Sequence, residues 1–211
     1  MTIKKLKHTA SDFDIWEDFR NGNRDAFALM YSKYSPDLFA YGYKLCRSKD
    51  VVRDASHDLF VDLWKKRTAL GPTNNIKFYL IKSIRREIIR VLKKDQKFIH
   101  EPDDFPFAFD VTLSYETELI DRENREEILQ QLKRTINNLS NRSRELIYLK
   151  FFEGLAYDEI SELTDLNYQS VVNTIHRAIK EIRKEISHGS FSIILQLAGI
   201  RQISENIIEN I

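Results

Sequence analysis

The chain has 211 residues, with 42% hydrophobic and 31% charged residues and a formal net charge of +1, a size for one or two domains and an ordinary globular composition. So balanced a charge leaves nucleic-acid binding open, because the placement of charge counts for more than its sum. The single cysteine, Cys46, excludes an intramolecular disulfide and agrees with a reducing compartment, and only 6 Gly and 4 Pro favour long helices over many turns.

Residues 1–10 are basic, but no apolar segment follows, so no signal peptide is expected. No run approaches the length that spans a bilayer. The expected location is the cytoplasm, with no membrane insertion. Phe13, Ile15, Trp16 and Phe19 then open a short helical segment that Asn21-Gly22-Asn23 ends. Phe27, Met30, Tyr31, Tyr34, Leu38, Tyr41 and Leu45 recur every three or four residues. Ser35-Pro36 inside this run predicts an N-cap and the first position of a second helix. Ser48-Lys49-Asp50 breaks the pattern, and Cys46 beside Leu45 is expected to be a packed thiol.

The next helix, residues 51–67, has two faces. Val52, Ala55, Leu59 and Leu63 form an inward stripe, while Asp54, His57, Asp58 and Asp62 form an acidic outer one. Such a stripe is either a solvated face or a contact for a basic partner surface. Residues 68–75 hold Gly71-Pro72 and Asn74-Asn75 and read as a loop. Residues 76–94 follow as a long helix in which Phe78, Tyr79, Ile81, Ile84, Ile88, Val91 and Leu92 alternate with Lys77, Lys82, Arg85, Arg86, Arg90, Lys93 and Lys94. Only Glu87 opposes that positive charge. A basic helix with aromatics at its start can hold phosphates and stack unpaired bases; it can also be a basic surface beside acidic neighbours.

Residues 100–117 change character, with Pro102 and Pro106, the acidic Glu101, Asp103, Asp104 and Asp110 and no helical period, and predict a linker between domains. Phe105, Phe107 and Phe109 within it suggest partial docking. Helix resumes over residues 118–139, with Ile128, Leu132, Ile136 and Leu139 inward. Ser140 is an N-cap candidate for a helix over residues 141–153, and Gly154 suits its C′ position. Residues 189–211 form an amphipathic tail.

Residues 155–180 carry the most specific pattern. Ile160 and Leu163 share one face of a short helix, and Thr164-Asp165 suits a tight turn. Asn167 is a good N-cap. Val171, Ile175, Ala178, Ile179 and Ile182 recur at helical spacing, opposite Tyr168, Gln169, Asn173, His176, Arg177 and Lys180. A supporting helix, a tight turn and a second helix with a hydrogen-bonding outer face describe a helix-turn-helix, although paired amphipathic helices also occur in many all-helical proteins.

The order of these features resembles the extracytoplasmic-function (group 4) sigma factors of the sigma-70 family of bacterial RNA polymerase. The resemblance runs from Trp16 to Ile186. It rests on Ala26-Phe27 with Tyr31-x-x-Tyr34, on Asp54-Ala55-x-His57-Asp58-x-Phe60-x-x-Leu63-Trp64, on Tyr79-Leu80 through Lys94, and on Leu139-Ser140 through Arg183 with Phe152-Glu153-Gly154-Leu155 and His176-Arg177-Ala178. It implies an all-α fold of two small helical domains, residues 1–98 and 118–188, joined by a linker over residues 99–117.

The implied polymerase-binding residues are Asp54, His57, Asp58, Phe60, Asp62 and Trp64. Those implied for melting the minus-ten element are Phe78, Tyr79, Lys82, Arg85, Arg86, Arg90 and Lys93, with the loop at residues 71–75 holding a flipped base. Those implied for the minus-thirty-five element are Asn167, Tyr168, Gln169, Ser170, Asn173, His176, Arg177 and Lys180. The implied partners are core polymerase, promoter DNA and, as a further candidate, an anti-sigma factor, with no small-molecule substrate.

Several positions depart from the family pattern. His57 stands where Gln is usual, Arg86 where Asn is usual and Arg90 where Asp is frequent. Val172 and Thr174 replace basic residues, and Val172 can touch only a thymine methyl. Ala156 stands where a capping Ser or Thr is common, so the supporting helix is expected to fray at its start. A stand-alone helix-turn-helix regulator would account for residues 155–180 but not for the acidic and basic helices. An enzyme is not expected: no Gly-rich phosphate loop occurs, the five His residues lack metal-ligand spacing, and neither cofactor nor metal is implied.

Overall fold

The computed structural model describes residues 11–94 and 122–185, those of 122–129 by their backbone alone. The linker, Ile128 as an inward side chain and the C-terminal tail lie outside the described side chains. The described elements are helices: α1 (Asp12–Arg20), α2 (Arg24–Cys46), α3 (Lys49–Lys66) with a 3-10 turn at Arg67–Ala69, α4 (Ile76–Lys94), α5 (Arg122–Asn138), α6 (Asn141–Phe151), α7 (Tyr157–Thr164) and α8 (Tyr168–Glu185). They fall into two compact units, Met1–Pro106 and Phe107–Ile211.

In the first unit, α2 packs on α1, α3 and α4, and α3 packs on α4. The core is Trp16, Phe19, Met30, Leu38, Tyr41, Leu45, Val52, Ile81, Ile84 and Ile88, which are buried as the periodicity predicts, together with Leu80. Phe13 is exposed, so α1 buries only Ile15, Trp16 and Phe19. Each helix start has a side-chain cap. Ser11 Oγ accepts the Asp14 N–H, Asn23 Oδ1 accepts the Asp25 and Ala26 N–H groups, and Ser48 Oγ accepts the Val51 N–H.

The predicted break at Ser35-Pro36 does not occur. Pro36 lies inside α2, which runs uninterrupted. An interior proline costs about 3 kcal/mol. Met30 and Tyr34 before it and Leu38, Tyr41 and Leu45 after it are all buried on one continuous face, and full burial of such a side chain contributes roughly 1.5–3 kcal/mol. Packing therefore outweighs the missing N–H, and Pro36 itself faces outward. The helix ends instead at Arg47, whose φ of 55° is left-handed and whose N–H donates to the Tyr43 carbonyl.

In the second unit, α8 packs on α5, α6 and α7 around Leu132, Ile136, Leu146, Leu149, Leu155, Ile160, Leu163, Val171, Ile175 and Ile182. Ser140 caps α6 through the Ser143 N–H. α6 ends at Phe151, two residues short of expectation, because Phe152 and Glu153 both donate to the Tyr148 carbonyl and close the last turn. Gly154 has a φ of 73°, as its C-terminal position predicts, and an added Cβ there would meet nothing within 4 Å, so conformation rather than space calls for glycine.

Candidate nucleic-acid interface

The outer face of α3 exposes Asp54, His57, Asp58 and Asp62. Asp62 is already engaged: Lys66 Nζ donates to it at 2.7 Å, and that bond holds its carboxyl below the ordinary value. The rest of the acidic patch is Asp54 and Asp58 around His57. Phe60 corrects one expectation. It is 3% exposed, with its ring edge-on to Phe27 at 6.0 Å and Tyr31 at 4.8 Å, so it supports the surface from inside. Trp64 is half-buried against Phe27 at 5.1 Å, with the Arg67 guanidinium over its ring at 4.6 Å. Tyr31, one of the residues that recur at helical spacing along α2, is 51% exposed beside this cluster.

α4 divides its cations between two environments. Arg86, Arg90 and Lys93 are exposed. Arg90 Nε donates to Glu87 at 3.0 Å, a bond that raises its already high pKa, with Asp58 of α3 adding to the effect. Lys82 is half-buried and lies over the Phe78 ring at 5.9 Å. Arg85 is 6% exposed and has an interaction within the protein, which corrects the expectation that it meets a phosphate. It falls with Ile81, Ile84 and Ile88 on the buried side. Phe78 and Tyr79 are half-buried at the first turn, where Asn75 Oδ1 caps the helix through the Phe78 N–H at 3.0 Å.

The helix-turn-helix forms as the sequence predicts. Asp165 takes a left-handed φ of 58° at the end of α7. Thr164 Oγ1 donates to the Ile160 carbonyl at 2.7 Å and Ser161 Oγ to the Leu166 carbonyl at 2.6 Å, which close the turn. Asn167 caps α8, its Oδ1 accepting the Ser170 N–H at 2.8 Å. The start of α7 is not left open, since Glu159 reaches back to accept the Ala156 N–H at 2.8 Å, half of a capping box that needs no side chain at Ala156.

Along α8, Val171, Ile175, Ala178, Ile179 and Ile182 are buried, while Asn167, Tyr168, Gln169, Asn173, His176, Arg177 and Lys180 are exposed and Ser170 is half-buried. Gln169 Nε2 donates to Asn173 Oδ1 at 2.9 Å, so the two amides are oriented together. Tyr168 stands edge-on to Tyr157 at 6.1 Å, and Lys150 lies over the Tyr157 ring at 4.4 Å while donating to the Leu155 carbonyl at 3.2 Å. Burial holds the Lys150 pKa below its ordinary value, against the pull of Glu159 and Asp158. Among the described residues, no group of His, Cys, Asp and Glu is placed to hold a metal ion. No described helix is long and apolar enough to cross a membrane.

Among the described residues every element is helical, with an acidic helix and a basic helix in one unit and a capped helix-turn-helix in the other, features that suit a DNA-binding transcription protein. Residues 30–98 match the model of sigma-70 region 2 and residues 129–182 that of sigma-70 region 4, together more than half of the chain. The RNA polymerase sigma factor YlaC of Bacillus subtilis is 21% identical over 78% of this chain and 94% of its own length. The ECF RNA polymerase sigma factor SigK of Mycobacterium sp. strain KMS is 20% identical over 85% and 93%. Among solved structures, CnrH in complex with the cytosolic domain of CnrY has a TM-score of 0.54 at 18% identity, over 82% of this chain and 95% of that one. The sigma factor RpoE from Bartonella quintana, in complex with the anti-sigma factor NepR, has a TM-score of 0.50 at 21% identity, over 75% and 94%. The chain belongs to the sigma-70 family of RNA polymerase sigma factors, in its extracytoplasmic-function group.

Proposed function

We propose that this sigma factor docks on core polymerase through Asp54, His57 and Asp58 of α3, melts the minus-ten element with α4, and reads the minus-thirty-five element with α8. The observation that carries this reading is the division of charge in the first unit, with exposed carboxylates on α3 and exposed cations on the neighbouring α4. The acidic face suits a basic-lined protein surface. Arg86, Arg90 and Lys93 suit the phosphates of the separated non-template strand, and the loop at residues 71–75 with Phe78 and Tyr79 suits an unstacked base, which needs a pocket in place of its lost neighbours.

In the second unit, Gln169 and Asn173 lie in the first turns of α8, where a recognition helix meets base edges, and Arg177 and Lys180 follow where it grips the backbone. The domain limits proposed are residues 1–98 and 118–188, with the linker threading into the polymerase and the whole acting in the cytoplasm. By extension from the complexes of CnrH and RpoE, an anti-sigma factor is a proposed second partner. Run-off transcription with core polymerase tests the reading: transcript should appear only when both proteins and a cognate promoter are present. Tight gel shift of promoter DNA by the chain alone, with no polymerase-dependent transcript, would identify a stand-alone regulator instead.

A further inference from the structure

Two side chains one turn apart on α1 hold the two ends of the loop that precedes α4. The Trp16 indole N–H donates to the Gly71 carbonyl at 2.9 Å, and the Asp12 carboxylate accepts the Ile76 N–H at 3.2 Å. Their spacing of four residues places both on one helix face. Ile76 is the first residue of α4, so its N–H has no acceptor within the helix, and Asp12 supplies one. Asp12 is itself fixed from α2, accepting the Tyr34 hydroxyl at 2.7 Å and the Lys33 ammonium at 3.0 Å. The Trp16 ring is fully buried between Phe19 at 5.3 Å and Tyr79 at 5.0 Å. Between the held ends lie residues 72–75, with Pro72 and Asn74 exposed.

We infer that Asp12 and Trp16 are positioning residues for promoter opening, presetting this loop as the receptor for one unpaired base. The inference rests on the proposal that the loop holds that base. An untethered loop must be ordered at each binding event, which weakens binding and blurs discrimination. Held at both ends, residues 73–75 keep one arrangement, in which Thr73 Oγ1 accepts the Asn75 N–H at 3.2 Å and Asn75 in turn caps α4. Phosphate contacts from α4 tolerate small displacements because charge acts over several ångströms. Hydrogen bonds to a base edge do not. Loosening α1 should therefore cost base preference before it costs general DNA affinity.

The test uses the full chain with core polymerase and permanganate footprints on promoters randomised across the minus-ten element, below each variant's melting transition. Asp12→Ala removes the Ile76 acceptor together with the Tyr34 and Lys33 contacts; it should lower opening about tenfold, the share of the one bond that holds the loop, and flatten the preference at a single position, leaving minus-thirty-five preferences and core binding unchanged. Asp12→Asn has a single acceptor oxygen, which can serve the Ile76 N–H or the Tyr34 and Lys33 donors but not both, so it should restore that preference only in part. Trp16→Phe keeps a ring without the N–H and should act like Asp12→Ala. Wild-type preference in both Asp12→Ala and Trp16→Phe overturns the inference, as does an equal loss of opening at every sequence. Asn74→Ala separates the two levels. If it alters no base preference, the loop is not the base receptor; if it does while Asp12→Ala does not, only the positioning role fails.

Discussion

Gly42 sits where α2 meets both α3 and α4, and its replacement by alanine tests how tightly the two functional helices are set. An added Cβ would lie 2.8 Å from Ile88 Cδ1 and 3.0 and 3.2 Å from the two Val52 methyls. Alanine gains about 1 kcal/mol over glycine in a helix interior. Overpacking a filled core costs typically about 1–3 kcal/mol. Ile88 Cδ1 is the far end of a flexible chain and can swing aside, but Val52 is β-branched and nearly locked in a helix. The clash should win, leaving Gly42→Ala about 1 kcal/mol less stable, a drop of roughly 4–8 °C in Tm for a unit of this size. Ile88→Val removes the nearest atom and costs about 0.5–1.5 kcal/mol by itself. Combined with Gly42→Ala it should lose less than the sum, with a coupling of about 0.5 kcal/mol or more. Thermal and urea unfolding of the four proteins of this cycle measure it. An unchanged or higher Tm for Gly42→Ala, or strict additivity, would refute the argument that glycine is there for close approach.

Asp58→Lys should weaken pull-down of core polymerase without lowering Tm, since the side chain is exposed on α3; wild-type capture would remove the acidic face from the interface. Arg90→Ala should weaken promoter opening and flatten its salt dependence by roughly one unit of slope, whereas the buried Arg85→Ala should lower Tm and leave the slope alone; footprints and melts distinguish the two. Asn173→Ala should cost about 1–3 kcal/mol of discrimination at one base pair, non-additively with Gln169→Ala because the two amides are bonded, while Lys180→Ala should weaken all promoters alike in a minus-thirty-five library. Burial, aided by Asp12 and opposed by Lys33, pushes the Tyr34 hydroxyl up from 10.0 to about 12. A raised folded-state pKa means a contribution that is complete below pH 10 and lost as pH rises towards 12, so alkaline melts of the wild type should fall more steeply across that window than those of Tyr34→Phe.

The resemblance to sigma factors was legible because its motifs are local. Helical period, caps and turn residues act within a few positions, so α4, the Asn167 cap and the buried stripe of α8 follow from the sequence almost residue for residue. The positive φ at Gly154 was equally readable, since glycine at a helix end has a local cause. Pro36 failed as a local signal because the buried face running past it belongs to packing with α3 and α4, which no short window contains.

Charge type alone also misled. Arg85 and Arg90 look alike in a basic run, and Phe60 looks like a partner-facing aromatic beside Trp64. Whether each points inward depends on where the neighbouring helices lie, and a residue half a turn away can belong to the other face. The contacts of α1 with the loop were invisible in the sequence for the same reason: Trp16 meets Gly71 across 55 positions and Asp12 meets Ile76 across 64. By itself the sequence determined most of the helices, the Ser140 and Asn167 caps, the helix-turn-helix and the order of acidic and basic faces, because each depends on neighbours in the chain. The tertiary structure alone decided which of those charged and aromatic side chains are free to meet a partner, because burial is a property of helices brought together from distant positions.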